Sequence, residues 1–335
     1  MLDVQFNSNN VNSNIENSSH EFFQIIKNFD KRNIKEVEPT TKSINKGIFD
    51  GDLSIISDEL VILIFKKFNQ GKNKKLIKKS VLYYLDNKKI ILQEIYTYLL
   101  NNQINSNSIY LLGYFNYYGI GTDFDKKKAI ELYKKASELE NKLAQLNLTE
   151  IYLYATNVKS DENLAFKLSK KLAEKEYASG INNLGWCYEN EIGIEINEPK
   201  AFELYQKAAD LGNSNGISNL GWCYKYGIGT HTDALKAFEL FQKATNLGNT
   251  YGMSNLGNCY YNGIGTNVNE KKAFELYLKA ANSENDYAQH HVAKMYENGD
   301  VTKKDMKQAI YWYKKSAEQG FQPAQDKLDE LSKEN

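Results

Sequence analysis

From residue 108 onward the apolar positions follow two superimposed periods, one of helical turns and one of 36 residues. Within one unit Ile217, Leu220, Gly221 and Tyr224 recur at helical spacing, and the pattern stops near Gly227. Ala237, Phe238, Leu240, Phe241 and Ala244 repeat the spacing, with Gly248 following as a left-handed cap. Stepping by 36 from Leu220 finds Leu112, Leu148, Leu184, Leu256 and Val292. The next position is always small: Gly113, Thr149, Gly185, Gly221, Gly257 and Ala293. Seventeen residues past the reference stand Ala129, Ala165, Ala201, Ala237, Ala273 and Ala309. The pattern predicts six helix-turn-helix units, near 108–143, 144–179, 180–215, 216–251, 252–287 and 288–328. One such pair cannot bury its own apolar face, so the expected fold is an all-α solenoid of stacked units. The small residues let its helices approach closely.

Ahead of the array the chain reads differently. Residues 1–20 hold six Asn and four Ser, too polar to bury a core, so 1–51 is expected to be largely disordered, with one short helix at HEFFQIIKNF and a linker after it. Over 52–107 the pattern predicts a helical cap. Leu60, Leu63, Ile64 and Phe68 share a face, with Ser57 or Asp58 as N-cap and Gly71 as the stop, and two helices follow around 73–86 and 90–101. Residues 66–89 carry nine lysines and one aspartate. That run fits either a docking patch or a solvated helix face, and the solvated face is the favoured expectation.

Charge narrows the field. Lys+Arg and Asp+Glu are equal at 42 each, which leaves no nucleic-acid footprint. With a single arginine, Arg32, and abundant Asn, the composition carries a codon bias. No signal peptide, lipidation box or membrane-length apolar run is found, so the expectation is a cytoplasmic chain with no membrane partner. The second helices carry a lysine ladder (Lys135, Lys171, Lys207, Lys243, Lys279, Lys315). In four units a glutamate four residues earlier (Glu131, Glu203, Glu239, Glu275) is expected to pair with it.

The stretch AFELYQKAADLGNSNGISNLGWCYKYGIGT and the closing AIYWYKKSAEQGFQPAQ resemble the Sel-one-like repeat, a relative of the tetratricopeptide repeat. The resemblance covers residues 108 to about 328. It implies a right-handed superhelix that binds other proteins as a scaffold or adaptor, with members in signalling. The helical segment from ELVILIF to residue 122 is also similar to one in fungal repeat proteins, many of which carry a kinase-like domain before it. Here HRD and DFG are missing and 107 residues are too few for a kinase core, so no enzyme activity is expected. A competitive regulator of such kinase-bearing relatives is one alternative. A hydrolase of the repeat-protein β-lactamase type is another, disfavoured because those proteins carry two cysteines per unit and this chain at most one. Two units depart from the repeat pattern: Ala155 and Asn157 replace loop glycines in one, and Glu191 replaces glycine in the next.

The reactive-looking residues read mostly as packing. Cys187, Cys223 and Cys259 share a register with Phe115, Ile151 and Met295, which describes a buried apolar slot. The adjacent His290 and His291 lack a third ligand at metal spacing, and the GIG loops follow a helix rather than a strand. Neither a metal nor a cofactor is expected. One stripe points to binding. Asn147, Asn183, Asn219 and Asn255 precede the reference position, and Glu150, Trp186, Trp222 and Asn258 lie three residues beyond them. Tyr154 and Tyr226 continue the same face. Asn amides donate and accept, so they can hold the backbone of a peptide, while Trp and Tyr anchor it. The candidate partner-binding residues are Asn183, Trp186, Asn219, Trp222, Tyr226, Asn255 and Asn258.

Overall fold

A computed structural model describes residues 50–154, 161–301 and 303–333. The Asn/Ser-rich start, the HEFFQIIKNF helix, most of the linker, and Ala155 and Asn157 lie outside the described residues. The described residues form sixteen helices and no strand. Three helices precede the array: α1 (Asp50–Asn69), α2 (Lys74–Asn87) and α3 (Leu92–Asn101). Six pairs follow: α4 (Ser106–Tyr118) with α5 (Lys126–Glu138), α6 (Lys142–Tyr154) with α7 (Glu162–Glu174), and α8 (Ala178–Glu189) with α9 (Glu198–Asp210). Then come α10 (Ser214–Tyr226) with α11 (Ala234–Asn246), α12 (Thr250–Asn262) with α13 (Glu270–Ala281), and α14 (Asp286–Asn298) with α15 (Met306–Ala317). A last helix, α16 (Gln322–Lys333), covers the open end. From α3 onward each helix packs on the next in chain order, the arrangement of a solenoid.

A repeated cap starts each second helix. Asp125, Asp161, Asn197, Asp233, Asn269 and Asp305 stand 36 residues apart, and each side chain accepts a bond from the backbone N–H three residues on. Such a cap contributes about 1 kcal/mol. Within units the small position works as expected: a Cβ on Gly221 would lie 2.9 Å from Phe241, and one on Gly185 would lie 2.9 Å from Tyr205. Between units Phe202 meets Tyr224, Phe238 meets Tyr260 and Phe274 meets Tyr296, edge-on at 5.3–5.4 Å. Each edge-to-face pair contributes about 0.5–1.5 kcal/mol beyond its burial. The three cysteines are fully buried in this stack. Burial pushes their thiols up to about 11, 12 and 11 for Cys187, Cys223 and Cys259.

Two expectations are corrected. The first helix starts at Asp50, not at an N-cap on Ser57 or Asp58. Leu53 and Ile56 are buried and extend the apolar face one turn upstream, while the Ser57 hydroxyl donates to the Leu53 carbonyl inside the helix. None of the four expected i,i+4 pairs forms an ion pair. Instead Lys171 reaches Glu140 at 2.5 Å and Lys207 reaches Glu176 at 3.0 Å, each in the turn of the preceding unit. Those glutamates sit at φ +62° and +57°, a left-handed position held by glycine in three of the six units. Glu191 keeps the left-handed turn that glycine makes elsewhere, at φ +59°.

Candidate functional site

The first helices of successive units approach one another more closely than the second helices do: α6 meets α8, α8 meets α10 and α10 meets α12. In a curved stack the closely spaced row is the inside. The inner face is therefore built from α4, α6, α8, α10, α12 and α14.

Part of this face is covered by the chain itself. Helix α1 crosses the starts of the first helices in turn. Asp58 accepts from Asn107, and Phe65 packs edge-on against Tyr177 at 5.0 Å with the Lys142 ammonium 3.7 Å from its ring. Where α1 ends, the turn to α2 offers its carbonyls to α8 and α10. The Ser179 hydroxyl donates to Phe68 O at 2.6 Å, the Asn213 amide to Asn69 O at 2.9 Å, and Ser214 N–H to Gln70 O at 3.0 Å. The Ser214 hydroxyl adds a bond to Gly71 O at 2.8 Å. The lysine run then spreads across the array, with Lys72 donating to Leu247 O and Lys78 to Tyr118 O. Lys74 pairs with Glu150 at 2.7 Å and Lys75 with Glu284 at 2.7 Å. Burial works against the Lys74 ammonium, and the Glu150 carboxylate outweighs it, leaving its pKa above the ordinary value. Four of the nine lysines in this run therefore face their own repeats instead of forming a solvated face.

The seven stripe residues divide. Asn183 is buried at 3% exposure, with its Oδ1 3.4 Å from the Asn182 amide and its own Nδ2 without a partner. The half-buried Asn219 donates to Asn182 Oδ1 at 3.0 Å, tying α10 to α8. Asn219 thus joins two helices through Asn182, while Asn183 is buried within α8. Trp186 is half-buried against Tyr154, ring centres 5.5 Å apart. Trp222 and Tyr226 are open at 38% and 52% exposure, their rings 4.3 Å apart. Asn258 accepts from Lys225 Nζ at 2.6 Å and donates to the Tyr287 hydroxyl at 3.2 Å. Asn255 is half-buried and makes no side-chain hydrogen bond among the described residues.

Beside His291, which continues the Asn255 register, several residues outside the register join the stripe. Lys225 stands 4.9 Å from the Tyr226 ring and 5.7 Å from that of Trp222. Tyr287 leans on His291 at 4.4 Å, and His291 stacks flat on Tyr277 at 4.8 Å. Burial, then His290, Lys294 and Lys225, hold the His291 imidazole neutral, with its pKa lowered to about 4. Tyr251, 61% exposed, stands at the start of α12. A second asparagine series was also hidden in the composition. Asn141, Asn213 and Asn249 cap first helices and reach back to the unit before, as in the 2.6 Å bond from Asn249 to Asn215. Among the described residues no group of His, Cys, Asp and Glu could hold a metal ion, and no helix is long and apolar enough to cross a membrane.

A stack of helical pairs with an aromatic and amide inner face defines a helical repeat protein. Six consecutive units, at residues 106–141, 142–177, 178–213, 214–249, 250–285 and 286–321, match the Sel1 repeat, and the chain belongs to the Sel1 repeat family. Proteins of this family are generally protein-interaction scaffolds, typically without catalysis. No curated protein matches the chain. Among solved structures it is similar to a Sel1 repeat protein from Oxalobacter formigenes, with 24% identity over 69% of this chain and 93% of that one and a TM-score of 0.56. It is also similar to c5321, a protective antigen of uropathogenic Escherichia coli with an SLR fold, at 23% identity, 85% and 67% coverage and a TM-score of 0.46. A Sel1 repeat protein from Klebsiella pneumoniae subsp. pneumoniae has 20% identity, 61% and 99% coverage and a TM-score of 0.44.

Proposed function

We propose that the chain is a non-enzymatic adaptor that binds a protein or peptide partner on the inner face of its repeat array, in a signalling assembly. The observation that carries this reading is the Trp222–Tyr226 pair. Two large rings lie side by side on the inner row and stay open to solvent, where the equivalent Tyr114 of the first unit is buried at 2% exposure. Exposed Trp and Tyr beside polar groups are the usual anchors of interfaces. The α1–α2 hairpin covers the inner face near Tyr118 and Glu150 and the starts of α8 and α10, so the partner's place is on the later turns of α8, α10 and α12 around Trp186, Trp222, Tyr226, Asn255 and Asn258.

The test compares baits in partner capture from native extract: wild type, and a Trp222→Ala, Tyr226→Ala variant shown by circular dichroism to be folded. Both side chains are exposed, so the fold is expected to survive their loss. Partners missing only from the variant support the reading. An unchanged set of partners would move the function to the outer helices or loops.

A further inference from the structure

We propose that the inner face of repeats 4–6 takes an acidic peptide segment, one whose carboxylates flank an aromatic or large aliphatic side chain. This rests on the reading of the inner face as the docking surface and names the chemistry of what docks there.

Neither α10 nor α12 contains an acidic residue, while α10 carries Lys225 and the next inner helix, α14, carries Lys294. Lys294 is exposed and forms no ion pair, and Lys225 likewise has no carboxylate partner. The carboxylates nearby are engaged elsewhere. Glu150 holds Lys74, Glu284 holds Lys75, and Glu297 is held by Lys327 at 3.0 Å and by the Tyr313 hydroxyl at 2.7 Å. Asp286 remains, in the first turn of α14, where its Oδ1 accepts from Tyr287 N–H and the positive end of the helix favours it. The open stretch of the inner face is thus positive within a chain whose formal net charge is zero.

The placement of Lys225 makes this more than a surface excess. Its ammonium is fixed by Asn258 Oδ1 at 2.6 Å and set beside the Trp222 and Tyr226 rings, on a half-buried side chain. A partly desolvated cation without a counter-ion is a costly arrangement, which an incoming carboxylate relieves. Its Asn258 partner is itself fixed by the Tyr287 hydroxyl, so the ammonium is positioned before anything binds. The His291 imidazole, stacked on Tyr277 and against Tyr287, is held neutral by burial first, with Lys294 and Lys225 also opposing its protonation. The open Trp222 and Tyr226 rings then provide for an apolar side chain within reach of the same cation.

The test selects binders from a random displayed-peptide library against the full chain, then measures the enriched peptides by fluorescence anisotropy at low and high salt. The expected winners are net negative and carry at least one aromatic or large aliphatic residue. Their affinity falls with salt, and the Lys225→Glu, Lys294→Glu variant weakens them about tenfold or more. The Trp222→Ala, Tyr226→Ala variant weakens them as well. Winners lost in the aromatic variant but indifferent to the lysine reversal would overturn the acidic preference and leave the inner-face reading standing. Winners indifferent to both variants would overturn both readings. Neutral or basic winners, no enrichment, or tighter binding of a fluorescein-labelled oligothymidylate than of any peptide would each overturn the proposal.

Discussion

Gly229 and Gly248 both hold left-handed backbone, at φ +65° and +80°, yet the same substitution does different things to them. A Cβ on Gly248 meets nothing within 4 Å, so Gly248→Ala is expected to cost only its backbone strain, about 1 kcal/mol. A Cβ on Gly229 collides with the Glu198 carbonyl at the start of the preceding second helix, so Gly229→Ala is expected to cost about 3 kcal/mol or more. Urea melts of both variants check the difference, and equal losses would refute this role for the second loop glycine. The GIG loop is thereby explained as the place where backbone of one unit packs on backbone of the last. At this scale much was legible in advance. Cys187, Cys223 and Cys259 alternate with Phe, Ile and Met in one register, and that pattern alone identifies a buried slot. Asn183 was not legible. Asparagine reads as equally fit for a groove or a junction, and only the burial of Asn183 beside Asn182, which itself accepts from Asn219, decides.

At the scale of elements the paired helices follow from the apolar spacing, but the course of α1 and α2 does not. Their docking rests on carbonyls of Phe68, Asn69, Gln70 and Gly71 meeting Ser179, Asn213 and Ser214. Backbone carbonyls leave no trace in side-chain pattern, and Ser and Asn in a chain rich in both carry little signal. The lysines of this run look solvent-facing for the same reason, since Glu150 and Glu284 are distant in sequence. The turn is built tightly around Gly71, at φ +69°, where a Cβ would stand 2.9 Å from both Asn213 Oδ1 and Asn215 N. Gly71→Val is expected to lower the local stability of the hairpin by about 2–3 kcal/mol. Amides of Asp50–Asn87 should then exchange faster while those of Ser214–Ala281 stay protected. Uniformly faster exchange along the array would mean that the hairpin and the repeats unfold as one unit.

For the whole molecule, the stack turns burial into pH dependence on two sides. The three thiols ionise near 9.0 when unfolded but at about 11, 12 and 11 in the fold, so the unfolded chain gives up protons first. Their contribution is complete below pH 9 and is lost as pH rises through that window. Burial pushes the buried Tyr110, Tyr133 and Tyr205 up as well, and they act in the same direction. His291 acts oppositely: lowered from 6.5 to about 4, it contributes above pH 6.5 and loses that contribution as pH falls through 4. Thermal melts across pH are expected to show a plateau between these windows and a fall on either side. The reading that the partner sits on the open inner face is checked by hydrogen exchange of the chain with and without a captured partner. New protection is expected in Ala178–Glu189, Ser214–Tyr226 and Thr250–Asn262, centred on Trp222 and Tyr226. Protection confined to the second helices, Glu198–Asp210 and Ala234–Asn246, would contradict it.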